Sequence, residues 1–312
     1  MSAALNRKRK VKRRHLPATC AAWLLACCCC CAPQTTNHPS PAQAKETPPR
    51  TSTRQGVVSQ SPADAKPADP AQTLPALERG ADAFESVINL SGGRRFETRT
   101  IEKRLTKRKF VVTARYPELT GDRSTAARGF NQSAESLVAR DLKPFLKDER
   151  DPEKERHPHW RDVEEDHVVS HKVIFASDEI ISVFFYAYGY SWGAAHGYHY
   201  PLVLNYDLKR GRLLRLADLF RPGPKYLQTI ADYCLCDLSR QLDLPAEEIE
   251  GAKPRPKNYR AWVLTPKGLV IIFEEYQVTS YAGGEPKVLI PYERLRGIIN
   301  PRGVLAALAV SG

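Results

Sequence analysis

Of eight cysteines in the 312-residue chain, only Cys234 and Cys236 lie beyond residue 31. A single C-x-C gives neither a disulfide framework nor a zinc site, so both are expected as core packing in a helix. No acidic residue precedes Glu46. No apolar run reaches the about 20 residues that cross a hydrocarbon layer comfortably, which excludes a polytopic membrane protein. Also missing are G-x-S-x-G, a phosphate-binding P-loop, a dinucleotide fingerprint and H-E-x-x-H. No internal repeat is apparent, and residues 33–75 contain no aromatic side chain.

The charge excess is concentrated at one end. The chain carries 47 basic and 35 acidic residues, net +12. Seven basic side chains (Arg7, Lys8, Arg9, Lys10, Lys12, Arg13, Arg14) precede residue 27 with no acid to balance them. The remaining basic residues are interleaved with acids, so a nucleic-acid stripe is not expected.

Behind that basic run, Leu16 to Cys27 is a short apolar stretch bounded by Pro17 and Pro33. A basic head, a short apolar core and small residues at its end describe a secretory signal peptide over 1–26. Leu24-Leu25-Ala26-Cys27 resembles a bacterial lipobox, with Cys27 as the lipidated thiol and Cys28 to Cys31 as competing candidates. An uncleaved single-span anchor is the alternative. Cys28 directly after Cys27 fits outer-membrane sorting in a Gram-negative host. Residues 33–75 hold nine prolines among Ser, Thr, Gln and Ala. Such a segment is expected as a disordered tether between membrane and fold.

From Leu77 onward the pattern is globular. Thr98–Leu105 and Lys109–Tyr116 read as strands around a basic turn, and Ser124–Phe145 as an amphipathic helix. Residues 147–166 read as a charged loop. Val168–Ala176 and Ile180–Tyr190 form a hairpin at Ser177-Asp178, followed by strands Tyr198–Leu208 and Leu213–Leu216. Tyr226–Leu242 reads as a helix, Arg260–Leu264 and Leu269–Phe273 as a hairpin, Val288–Ile290 as a strand, and Leu295–Leu308 as a short helix. Local hairpins beside few helices give an α+β fold, with antiparallel sheets and two or three packed helices in a single compound unit.

Chemistry is sparse. His157 and His159 sit in the charged loop, and His167 and His171 straddle a strand start. His196-Gly-Tyr-His199 lies between aromatic strands, yet too few ligands converge for a metal site. No cofactor is expected. Within Phe184 to Tyr200, core strand and glycine loop account for much of the aromatic content. Ser191 and Trp192, beside Gly189 and Gly193, fall at a tip, where aromatic and serine residues suit protein or glycan recognition. Glu274-Glu275-Tyr276 and Thr279 to Gly284 form a second such loop.

At these residues a family resemblance emerges. Tyr190 to His196, then Asn205 to Gly211, Leu216 to Phe220, Leu269 to Phe273, Tyr276, Tyr281 to Gly284 and Val288 to Leu295 resemble, in order, the C-terminal domain of the RsiV-like family. Lys109 to Gly121 resembles the small domain that precedes it. That family includes ectodomains of lysozyme-sensing anti-sigma factors and also occurs beside peptidoglycan deacetylase domains. Ala194 stands where family members more often have glycine. The likeness covers neither a sigma-binding segment nor a deacetylase, so it implies the binding domain and not the anti-sigma activity.

The expected organisation is a lipoprotein signal peptide (1–26), a lipidated cysteine and linker (27–76), a small α+β subdomain (77–166) and an RsiV-like domain (167–312). The expected role is non-catalytic: a lipid-anchored envelope protein binding lysozyme, another extracytoplasmic protein or peptidoglycan. Contacts would come from Ser191, Trp192, His196, Tyr276 and Tyr281, with Glu274, Glu275 and Glu285 steering a cationic partner. The alternative is a cell-wall hydrolase pairing His196 with Glu274 or Glu275 as general acid and base.

Overall fold

The computed structural model describes residues 84–147, 162–223 and 225–308. The signal segment, Cys27 to Cys31, the linker and most of the charged loop with His157 and His159 lie outside them.

The chain first builds a seven-stranded sheet. β1 (Val87–Ile88) and β2 (Arg95–Leu105) precede β3 (Phe110–Thr120). The basic turn between β2 and β3 is a 3₁₀ turn, Thr106–Arg108, closed by Lys109 at φ 50°. Helix α1 (Thr125–Lys147) follows, its first turn capped by Ser124 Oγ, which accepts the Ala127 N–H at 3.1 Å. β4 (Glu165–Ala176), β5 (Ile180–Tyr190), β6 (Tyr198–Asp207) and the two-residue β7 (Arg212–Leu213) complete the sheet. Its order is β2-β3-β4-β5-β6-β7, with β1 beside β4.

This sheet is mixed, not wholly antiparallel as the hairpins suggest. β3 and β4 run parallel, Phe110 opposite Glu165 through Ala114 opposite Val169, and β1 also runs parallel to β4. The cause is the intervening helix: α1 crosses one face and returns the chain in the same direction. The sheet therefore runs continuously across position 166.

A second sheet joins β8 (Trp262–Leu264), β9 (Gly268–Ile272) and β10 (Lys287–Pro291), all antiparallel. Helix α2 (Lys225–Leu242) precedes it. Two sequence expectations fail locally. Leu213–Leu216 is not a strand beyond Leu213, because Asp218 Oδ2 accepts the Arg215 N–H at 2.9 Å and winds Leu216–Leu219 into a 3₁₀ turn. Leu295–Leu308 divides into α3 (Tyr292–Leu295) and α4 (Leu305–Leu308). There the chain passes through Asn300-Pro301 and a turn in which Gly303 N–H bonds Asn300 O at 2.9 Å, and proline supplies no helical donor.

Packing is layered. One face of the first sheet buries Phe110, Val112, Phe185 and Tyr206 against Phe130, Ala134, Val138 and Leu142 of α1. The other face buries Ile174, Phe184 and Tyr186 against Val263, Val270 and Ile272 of the second sheet. Beyond that sheet, Ile230, Ala231, Cys234 and Leu238 of α2 close a third cluster. β5 lies between two of these layers, which explains its nearly unbroken apolar run. A polar bridge ties the sheets together: Ser182 Oγ donates to Asn205 Oδ1 at 2.6 Å and accepts the Leu264 N–H at 2.9 Å. Asn205 Nδ2 donates to the Trp262 carbonyl at 2.8 Å. Cys234 is core, but Cys236 is exposed, the divergence that their spacing dictates.

Candidate functional site

The β5–β6 connection and the loop between β9 and β10 meet at one end of the molecule. Cross-strand tyrosines shape the first. A Cβ at Gly189 would lie 2.2 Å from the Tyr198 hydroxyl and 2.7 Å from the Asp166 carbonyl. A Cβ at Gly197 would meet the Tyr188 hydroxyl at 2.6 Å. Glycine is required at both because a phenol occupies the space. Between them, Gly193 at φ 76° and an Ala194 N–H bond to Ser191 O at 3.1 Å turn the chain. Tyr190 ties the turn down by donating to the Ala194 carbonyl at 3.2 Å.

The second loop holds Tyr276 at φ 61° and 64% exposed. Gln277 fastens the base of this loop, accepting the Glu274 N–H at 3.1 Å and donating to the Gly251 and Asn258 carbonyls, each at 2.9 Å. Tyr276 is held out because its neighbour is held in.

The loops are joined by ring stacking. His196 lies on Tyr281 with centroids 3.8 Å apart, and Tyr276 lies 6.1 Å from Tyr281. The structure thus brings together His196, Tyr276 and Tyr281 among the residues singled out from sequence. Ser191 and Trp192 sit in the same β5–β6 connection and are half-buried, with the Trp192 N–H directed to Glu165 Oε1 at 3.3 Å.

His196 does not pair with Glu274 or Glu275. Its Nδ1–H donates to the Gly197 carbonyl at 2.8 Å, and its ring is exposed. Glu275, joined by Glu285, instead finds His199, which alternation directs to the opposite face of β6 from Tyr198 and Tyr200. His199 Nε2 contacts Glu275 Oε1, and Nδ1 faces Glu285 Oε1 at 3.4 Å. The three side chains are 19%, 9% and 4% exposed. Burial raises the Glu275 carboxyl above the usual range; His199 opposes this, and Glu285 adds to it. Burial, then Glu285 and Glu275, push the nearby Tyr186 phenol up. Both ring nitrogens thus face carboxylates, while Nδ1, Glu275 Oε1 and Glu285 Oε1 complete no hydrogen bond among the described residues. Two of the three acids expected to steer a partner are thereby turned inward, and Glu274 alone stays exposed. Among the described residues, no group of three or more His, Cys, Asp or Glu could hold a metal ion.

Sequence reasoning also missed what supports the tip from below. His167, fully buried in β4, donates from Nε2 to Asp141 Oδ2 at 2.8 Å, and its Nδ1 accepts from the Tyr198 hydroxyl at 3.1 Å. Tyr200 donates to Asp141 Oδ1 at 2.7 Å, and Phe145 stacks on His167 at 3.9 Å. The alternate tyrosines Tyr198 and Tyr200 of β6, on the face towards Asp141 of α1, were the available signal.

Architecture and site together define an α+β module whose aromatic tip rises from a sheet packed between a helix and a second sheet. Residues 217–293 match a family model described as a protein of unknown function (DUF3298). Over 194 residues, 61% of this chain and 39% of the relative, the sequence is 21% identical to the peptidoglycan-N-acetylmuramic acid deacetylase PdaC of Bacillus subtilis. The match thus spans well under half of that protein. Among solved structures, a DUF3298-family protein of Bacteroides fragilis shares the fold, with TM-score 0.51 at 18% identity over 71% of this chain and 99% of that one. A DUF3298-family protein of Pseudomonas aeruginosa aligns over 66% of this chain and 95% of its own, with TM-score 0.46 at 19% identity. Among the described residues, no helix is long and apolar enough to cross a membrane.

Proposed function

We propose that this chain is a cell-envelope lipoprotein, lipidated at Cys27, whose folded part is an RsiV-like module that binds a ligand outside the cytoplasm and catalyses nothing. The ligand is a protein, lysozyme foremost, or a peptidoglycan-related glycan. The basic, apolar and small-residue order of residues 7–27 supports export. Similarity to a protein named for peptidoglycan deacetylation supports an envelope setting.

The observation that carries the binding reading is the stack of His196, Tyr281 and Tyr276, fastened from behind and presenting an exposed ring. Aromatic side chains offer large contact area with few rotors to freeze, and a rigid loop avoids further ordering cost on association. The site supports a non-catalytic reading, since His196, the residue that would pair with Glu274 or Glu275 as general acid and base, instead turns its Nδ1 to the Gly197 carbonyl.

Biolayer interferometry of the full chain against purified lysozyme at moderate salt tests this. Saturable binding is expected, with Tyr276→Ala weakening it by about tenfold or more. Co-sedimentation with purified peptidoglycan separates the glycan version. Absence of both would sink the proposal.

A further inference from the structure

β6 is an edge strand along most of its length. β5 covers one side from Tyr198 to Asp207, while β7 covers the other only at Tyr206 and Asp207. The Asn205 carbonyl points outward, since it accepts the Leu214 N–H at 2.8 Å. Backbone groups in a strand alternate in direction, so Val203, Pro201 and His199 point outward as well. Pro201 fits this parity, having no N–H to waste on open space. The His199 N–H is capped by the Glu275 carboxylate. Among the described residues, what remains open is a short stretch: the Pro201 carbonyl and both backbone groups of Val203.

That stretch opens into a cavity of about 420 Å³ running between α1, the β7 region, the start of α2 and the segment before β8. Its walls are chiefly apolar, including Leu137, Leu213 and Tyr259, and Leu213 is half exposed. Arg140 of α1 and Arg260 also line it; both are exposed, and neither has an acidic partner among the described residues. Arg215, the third arginine there, is already held by Asp218 at 3.1 Å.

The geometry points to a second binding site, distinct in its residues from the aromatic tip: the groove accepts a short extended peptide segment carrying acidic side chains. The segment continues the line of β7, pairing its backbone with Val203 and Pro201. One row of its side chains enters the apolar cavity, and its carboxylates reach Arg140 and Arg260. This is strand addition, in which main-chain bonds give affinity and the pocket and charges select the sequence. The proline and the capped His199 limit the added strand to a few residues.

The test immobilises the full chain and selects from a random hexapeptide display library, then titrates the enriched peptides. Acid-containing peptides with alternating apolar residues are expected. Val203→Pro, which removes one outward N–H without touching the β5 ladder, should weaken them at least tenfold, as should Arg140→Glu with Arg260→Glu. Tyr276→Ala should leave peptide binding unchanged, so failure here and failure of the tip's function stay separable. Thermal unfolding verifies that each variant is folded, and the arginine variants suffice if Val203→Pro is not. No enrichment, basic peptides, or full affinity in the folded arginine variant would each overturn the proposal. So would binding of dodecanoate without any peptide, which would mark a lipid-like site.

Discussion

The two ends of β6 solve the same problem in opposite ways. At His199 the outward backbone donor is capped by a carboxylate, which is itself held by the ring of that same residue and shared with Glu285. At Val203 no other strand covers the edge among the described residues, and the nearby Arg140 and Arg260 have no acidic partner among them. One end turns its titratable groups inward against one another and serves as scaffold for an aromatic tip. The other has unspent hydrogen-bonding and charge capacity. A cluster whose titratable groups face one another, however conspicuous, is a weaker pointer to ligand chemistry than an open edge beside arginines that have no acidic partner among the described residues.

The sharpest way to break this contrast is His199→Ala. It leaves Glu275 and Glu285 inward-facing without the imidazole that both contact, and a loss of about 3 kcal/mol in chemical unfolding is expected. A loss near zero would mean that the tip end is as open as the other. A smaller effect is expected at the clasp that ends the groove. Asp218 is held near 2: burial works against ionisation, but hydrogen bonds from Arg215, with Arg212 close by, outweigh it. A carboxyl with a lowered folded value stabilises above its ordinary value near 4, and that contribution disappears as pH falls towards 2. Asp218→Asn should therefore be less stable than the parent at neutral pH, with the difference shrinking below pH about 4; acid titrations of unfolding would show it. Smallest of all, replacing Arg140 and Arg260 together by alanine should change stability by no more than about 0.5 kcal/mol. A larger loss would assign these arginines to the fold instead of a ligand.

Most strand positions along the chain could be read from residue pattern, and Ser124 marked the helix start correctly. The parallel β3–β4 pairing could not, because periodicity reports which face a side chain takes and not which way its neighbour runs. The choice of His196 over His199 failed for a related reason. His196 lies in the connection, where no parity applies, whereas His199 lies inside a strand whose Tyr198, Tyr200 and Leu202 fix one face and leave His199 to the other. That signal was present, but its meaning depended on Glu275 and Glu285 arriving from a loop some 80 residues later. The tip loop's glycines were legible as glycines; their cause, the phenols of Tyr198 and Tyr188, needs the register.

Pro201 carries one more consequence. A bare edge strand with a continuous row of donors and acceptors is a template on which identical chains can stack without limit. By deleting one donor midway, this residue lets the edge take a brief visitor while denying a second molecule the unbroken ladder from which a fibril grows.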